Sequence, residues 1–342
     1  MSELSPRKEQ ILKAVIVEYI TVAEPVPSDL ITQKYELGVR SATVRSELAE
    51  ITEMGLLDQP HTSAGRIPSD TGYRYFVDHL ISRRAASSQE KSQVKAVQDE
   101  DETLRDLLQE TTKVLSRLTH LYAAAATTKD TDVLIRHAVI TALGPERAML
   151  VLVLQNGLVE NRVLDCPVGM TLEQIGQVND IISKTIEGKS LGSVAKLKTP
   201  SHSSPGTATL LSVVCATLRS TAKELTKGHF VADGEEYIFG QPEFHKSREN
   251  LEALVRSMEN EELIRSAIVG HTDSTNHVTI GKEHAQSELH PLSITRRAFY
   301  VGENEAGAIA VIGPTRMDYE RGISVLDFAS HAISETLTKI FR

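Results

Sequence analysis

The chain has 342 residues, long enough for two or three units that each bury a core, which argues against a single-core protein. Apolar residues make up 40% and charged residues 24%, an ordinary balance, and no run nears the roughly eighteen apolar residues of a membrane span. The net charge of −9 excludes a chain that coats nucleic acid through bulk positive charge, and the first 84 residues, with ten Lys and Arg against twelve Asp and Glu, have no basic signature of their own. Any nucleic-acid reading therefore rests on where single arginines fall.

MSELSPRKEQ lacks the basic-then-apolar layout of a signal peptide, so a cytoplasmic protein is expected. Cys166 and Cys215 are far apart in sequence and read as small buried hydrophobes, with no disulfide or metal site.

In chain order, Pro6 precedes Ile11, Leu12, Val15, Ile16 and Tyr19, spaced as one face of a helix that stops at AEPVPS. Ser28 is placed to cap the short helix LITQKYE, and LGV ends it. Ser41 is placed to cap SATVRSELAEITEM, with Val44, Leu48 and Ile51 facing inward and Gly55 ending the helix. LLDQ and RIP then read as a two-stranded hairpin whose long tip runs through QPHTSAGR, and Ser69 or Asp70 opens the helix TGYRYFVDHLI. Helix, helix, turn, helix and hairpin make a winged helix-turn-helix over residues 1–84, whose third helix suits a major groove. The face of that helix opposite the core carries Ala42, Arg45, Ser46 and Ala49, with Thr43 near its start; small side chains let a backbone approach base edges.

The polar stretch SRRAASSQEKSQ, 82–93, marks a linker, and from about 94 the stripe Val94, Val97, Leu104, Leu107, Leu108, Val114, Leu115, Leu118, Leu121 and Tyr122 predicts a long helix. After AAAATT a strand-rich zone begins: HAVITAL, then PERAMLVLVL and LVENRVLD joined by the hairpin signal Asn156-Gly157. Residues 171–198 and 208–228 read as helical, HFVADGEEYIFG as a hairpin around Asp233-Gly234, and PEFHKSRENLEALVRSMENEELIRSAI as one helix or two. HVTIGKE, LSITRRAFYV and GAIAVIG read as strands before a terminal helix from YERGISV. The whole is an α+β multidomain chain, with a body of the small-ligand-sensing type interrupted by a helical insertion.

No catalytic constellation emerges. His61 and Ser63 have no third group to orient them and no nucleophile elbow. His271, His277, His284 and His290 recur every six or seven residues, without zinc spacing, and GPTRMDYERG lacks the Lys-Ser/Thr of a P-loop. No enzyme, cofactor or metal is expected. A metabolite-responsive regulator using the body as its sensor, and an adaptor whose N-terminal unit binds protein, stay open as alternatives.

Three collinear stretches, SATVRSELAEITEMGLLDQPHTSAGRIPSDTGYRYFVD, PERAMLVLVLQNGLVENRVLDCP and GAIAVIGPTRMDYERGISVLDFAS, resemble the signatures of the HrcA family, bacterial heat-inducible repressors of chaperonin operons. The resemblance implies a winged-helix domain over 1–84, a linker and long helix over 85–125, a GAF-like domain from 126–165 and 241–342, and a dimerisation domain inserted at 166–240. It implies a homodimer on an inverted-repeat operator of CIRCE type in double-stranded DNA upstream of chaperone operons, with the chaperonin GroEL promoting the active repressor. On that reading Arg45, with Ser41, Ala42, Thr43 and Ser46, reads bases. Arg40, Arg66, His61 and Ser63 meet phosphates or the minor groove.

Overall fold

Helix α1 (Pro6–Val22) starts with Pro6 in its first turn and the Ser5 hydroxyl accepting the Lys8 amide, and it stops where Ala23 turns left-handed at φ 56°. The structure, a computed structural model, describes residues 4–61, 64–82, 84–97, 104–128, 131–155, 158–269 and 277–340. Ser63, the Asn156-Gly157 turn and His271 lie outside these residues.

Helices α2 (Ser28–Lys34) and α3 (Ser41–Glu53) follow. Ser28 and Ser41 sit one position inside their helices instead of capping them, because Pro27 and Arg40 hold the extended cap backbone. Ile11, Leu12, Val15, Ile16, Ile31, Val44, Leu48 and Ile51 bury the inner faces of the three helices together. Strands β1 (Leu57–Asp58) and β2 (Ile67–Pro68) pair antiparallel, Leu57 opposite Pro68, and the chain between α1 and α2 joins them where Val26 and Arg66 exchange two backbone hydrogen bonds of 2.9 and 2.8 Å. Two glycines permit this packing: a Cβ on Gly65 would lie 2.3 Å from the Val26 carbonyl carbon, and one on Gly72 would lie 2.0 Å from the Leu56 oxygen. Ser69 caps α4 (Asp70–Tyr75), which continues as a π-helical stretch, Phe76–Leu80.

The expected linker contains a helix, α5 (Ser88–Lys95), because Ser87 and Glu90 close a capping box across its first turn. The long helix beyond it is α6 (Leu104–Thr119), shorter than the apolar stripe predicts: His120 turns at φ 53° and Tyr122 opens a strand. That strand, β3 (Tyr122–Thr127), is buried along its whole length and is formed by the alanine run.

Strands β4 (Ile135–Gly144), β5 (Arg147–Leu154) and β6 (Val159–Asp165) form a separate antiparallel sheet. Helices α7 (Leu172–Ile186), α8 (Leu191–Val194) and α9 (Pro205–Lys227) cover one face of it, sealing a core with Ala138, Leu150, Leu152, Val178, Ile182, Val214 and Leu218. The chain then re-enters the body as β7 (Phe230–Asp233), which pairs with β3. The hairpin expected around Asp233-Gly234 does not form, because Gly234, at φ 93°, turns the chain into α10 (Glu235–Phe239).

Helices α11 (Pro242–Lys246), α12 (Arg248–Glu259) and α13 (Glu261–Val269) precede strands β8 (Val278–Ile280), β9 (Leu292–Val301) and β10 (Asn304–Pro314) and the terminal helix α14 (Tyr319–Ile340). The body sheet runs β7-β3-β10-β9-β8, antiparallel throughout. Ile238, Phe244, Leu254, Ile264 and Ile268 from α10–α13 pack on one of its faces. On the other, Leu108, Leu115, Val325, Leu326, Ala329 and Ile333 from α6 and α14 form a core continuous with that of the N-terminal helices.

These pairings shift the insertion. Strands β4–β6 pair with one another and seal their core with α7–α9, so the division expected at 165/166 cuts through that core. The inserted unit follows β3 and ends before β7, because only those two strands carry the body sheet's hydrogen bonds on either side of it.

Candidate nucleic-acid interface

Helix α3 presents two chemically different sides. Val44, Glu47, Leu48 and Ile51 are buried, while Arg40, Ala42, Thr43, Arg45 and Ser46 are exposed around its first two turns. Ser41 is half-buried, and its hydroxyl donates to the Asp29 carboxylate over 2.5 Å, tying α3 to α2. Among the described residues neither Arg40 nor Arg45 has an ion-pair partner, so both guanidinium groups are available to a ligand.

The acidic groups nearby are largely consumed by helix-to-helix bonds. Arg7 on α1 donates through Nε to Glu47 at 2.7 Å, and Lys8 meets Glu50 at 2.7 Å. Lys34 and the Tyr35 hydroxyl both reach Glu18 at 2.7 Å. The Lys34 contact leads in holding the Glu18 carboxyl below the usual range, and burial, with Glu18 beside it, pushes the Tyr35 phenol up. These pairs use cations and acids in equal number, so the net charge of the unit is unchanged, and what they leave at the start of α3 is local: Arg40 and Arg45 exposed, with Glu47 buried against Arg7.

The hairpin places the remaining expected residues differently from one another. His61 is exposed at the tip. Arg66 is half-buried at the hairpin's root, turned toward α3, with Nε donating to the Thr52 hydroxyl at 2.9 Å. Gln59 closes the tip by donating to the Ala64 carbonyl at 3.1 Å. Helical spacing singles out neither Thr52 nor Gln59, because Thr52 gains its role from Arg66 of the hairpin and Gln59 from Ala64 across it.

The N-terminal unit is held firmly to the body. Arg74 spans both oxygens of Glu283, at 2.8 and 2.6 Å, and donates to the Val278 carbonyl at 2.6 Å. The Glu283 bonds lead in raising the Arg74 guanidinium's pKa against the opposing effect of burial. On the far side Arg316 donates to the Ile20 carbonyl at 3.0 Å and to Gln241 at 2.8 Å, and Lys246 pairs with Glu24 at 2.7 Å.

Elsewhere the chemistry is sparse. A cleft of about 480 Å³ between the N-terminal unit and the body is lined by cations and anions together, among them Arg74, Asp78, His277, Arg297 and Asp327, with Arg297 bonded to Asp327. Cys166 and Cys215 are buried and unbridged, and burial raises both thiols. No group of three possible metal ligands occurs among the described residues, where His277 is exposed and His284 buried. No helix among them is long and apolar enough to cross a membrane.

The family model described as HrcA protein C terminal domain matches residues 105–323. A protein from Desulforamulus reducens named heat-inducible transcription repressor HrcA is 31% identical over 345 aligned positions, covering 99% of each chain. The chain belongs to the HrcA family. Relatives of the same name from Carboxydothermus hydrogenoformans and Symbiobacterium thermophilum are each 33% identical to this HrcA chain, over 98% and 97% of its length and 98% of theirs. A crystal structure of a hypothetical protein, solved at 2.2 Å, matches the HrcA chain with a TM-score of 0.73 and 18% identity, over 99% of this chain and 100% of that one. The two share a fold.

Proposed function

We propose that this HrcA chain is a heat-inducible transcription repressor whose N-terminal unit is a winged helix-turn-helix. It binds an inverted-repeat operator of CIRCE type upstream of chaperone operons and acts in the cytoplasm. The observation that carries the reading is the outward side of α3, where Arg40 and Arg45 stand among small side chains without ion-pair partners among the described residues. Arg45, with Ala42, Thr43 and Ser46, reads base edges, and Arg40 meets the phosphate backbone. Ser41, fixed on Asp29, orients the helix start as well as facing the groove. His61 and Ser63 contact the backbone or minor groove from the wing.

The helix-covered antiparallel body supports a GAF-like domain, and the separate core of β4–β6 and α7–α9 supports an inserted dimerisation domain. The face of β4–β6 away from its helices carries an apolar stripe, in which Val139 aligns with Val151, Met149 with Val163 and Val153 with Val159, bordered by His137, Thr141 and Asn161. Val139, Val159 and Val163 are 51%, 55% and 61% exposed, which fits burial against a second copy. A two-fold homodimer then matches the two-fold of an inverted repeat.

GroEL promotes the active form by refolding a marginally stable repressor, so heat-damaged clients that occupy the chaperonin relieve repression. The test is a gel shift with the inverted repeat of the organism's own chaperonin promoter, with and without GroEL, over a temperature ramp. Preference for that repeat over a scrambled duplex, restored by GroEL after heating, is expected. Equal binding to both duplexes removes the repressor reading, and heat-resistant binding indifferent to GroEL removes the regulatory part.

A further inference from the structure

Arg66 is committed at both its backbone and its side chain. Its amide and carbonyl bond Val26 at 2.8 and 2.9 Å, and its Nε donates to Thr52 Oγ1 at 2.9 Å. Thr52 in turn donates that hydroxyl's proton to the Leu48 carbonyl at 2.7 Å, which leaves a lone pair aimed at the guanidinium. Thr52 lies in the last turn of α3, where the helix dipole favours a cation. Charge, geometry and hydroxyl orientation therefore agree on one position for this side chain.

Besides the Val26 bridge, the root of the wing is tied to the end of α3 by Ser69, whose hydroxyl donates to the Gly55 carbonyl at 2.6 Å, and among the described residues Arg66 is the wing side chain that bonds a side chain of α3 itself. The wing's ladder is two residue pairs long, Leu57 with Pro68 and Asp58 with Ile67, too short to be rigid alone. Gly65, pressed against the Val26 carbonyl with no room for a Cβ, brings the root of the wing close enough for Arg66 to reach Thr52.

We infer that Arg66 is a positioning residue: through Thr52 it sets the angle between the wing and the recognition helix, so that tip and helix engage the duplex together. This deepens the repressor reading and rests on it, but it assigns Arg66 a different role from a phosphate contact. A phosphate contact needs only a cation; the Thr52 bond needs a donor at the position of Arg Nε, one bond nearer the backbone than a lysine ammonium carries its own.

The experiment compares R66K, R66A, T52V, T52S and the double variant R66A/T52V in the full-length protein. Dissociation constants for operator and scrambled duplexes are measured across a salt series, with a thermal midpoint for each variant. R66K, R66A and T52V are each expected to lower the operator-to-scrambled affinity ratio by about tenfold, the scale of one charge-assisted hydrogen bond. The double variant should lose no more than either single, T52S should keep the wild-type ratio, and the salt slope should hold. R66K binding like the wild type, or R66A lowering the salt slope by about one while T52V changes nothing, overturns the proposal in favour of a phosphate contact.

Hydrogen exchange on the free protein supplies an outcome that needs no DNA. T52V and R66A should speed exchange of the backbone amides at positions 26 and 66 alike, and wild-type protection in both variants overturns the inference. If the wild type fails to prefer its operator, the repressor reading fails by itself, and the exchange result still decides the role of Arg66.

Discussion

Tyr73 of α4 and Tyr319 of α14 pack ring against ring, with centroids 5.8 Å apart and planes tilted by 51°. Both are fully buried, and the Tyr319 hydroxyl lies 2.9 Å from that of Ser293 and donates to the Thr315 carbonyl at 2.6 Å. The N-terminal unit and the body therefore share one apolar core across 246 residues of sequence.

Replacing Tyr73 by Ala should open a cavity at that junction and cost about 3–5 kcal/mol. Urea unfolding followed by fluorescence and circular dichroism should change from coincident transitions to separate ones, with the N-terminal helices melting first. A loss below about 1 kcal/mol would show that the ring's surroundings collapse around the gap.

Arg74 and Glu283 form the two-pronged contact between the same two units, with side chains 15% and 33% exposed. A double-mutant cycle on R74A and E283A should return a coupling on the order of 1–2 kcal/mol in thermal or urea unfolding. A value near zero would place the pair with ordinary surface ion pairs.

On the α3 surface, R45A should cost roughly 1–3 kcal/mol of discrimination between operator and scrambled DNA. R40A should weaken both duplexes alike and lower the salt slope by about one. Gel shifts at several salt concentrations separate the two effects, and an equal loss on both duplexes for R45A removes its base-reading role.

The outward face of β4–β6 predicts an assembly effect without a folding effect. V151D and V163E each place a carboxylate on a surface that faces away from their own core, so the monomer fold should survive while the proposed dimer dissociates. Light scattering after gel filtration should report the monomer mass, with circular dichroism unchanged. Dimers persisting in both variants would move the interface elsewhere.

His229 lies where α9 hands over to β7, and its amide donates to the Thr127 hydroxyl at 2.7 Å. Burial leads in lowering its pKa, Arg105, Arg265 and Arg162 add to it, and Glu160 opposes them. The folded chain thus keeps this imidazole neutral where the unfolded chain, titrating near about pH 6.5, already takes up a proton. Its contribution to stability is full above that pH and is lost as pH falls toward the lower folded value. The urea midpoint should fall between roughly pH 7.5 and 5.5, and H229Q should flatten part of that fall. His277 is exposed, so the partial desolvation and the nearby Arg297 and Arg296 that lower its pKa are screened by solvent; it acts with the same sign but more weakly, and H277Q serves as the comparison.

Local periodicity made much of the candidate interface legible. Val44, Leu48 and Ile51 mark the buried side of α3 by spacing alone, which leaves Ala42, Arg45 and Ser46 outward whatever the rest of the chain does. Ser87 and Glu90 also carried a local signal, a capping box, but small polar composition masked it and the segment reads as a linker. The alanines of β3 carried none. Alanine favours helices by propensity, and only helices packed on both faces of the body sheet make a run of small side chains into a central strand.

By itself, then, the sequence determined the helices and hairpin of the N-terminal unit, the strands that alternate or run apolar, and the family to which the chain belongs, because these are written in spacings of a few residues. Only the tertiary structure decided where the insertion begins and ends, that the N-terminal unit and the body share a core, and that Arg66 turns inward to Thr52. Each depends on a partner distant along the chain, and a hydrogen bond or buried face is assigned to its partner only when folding brings the two together.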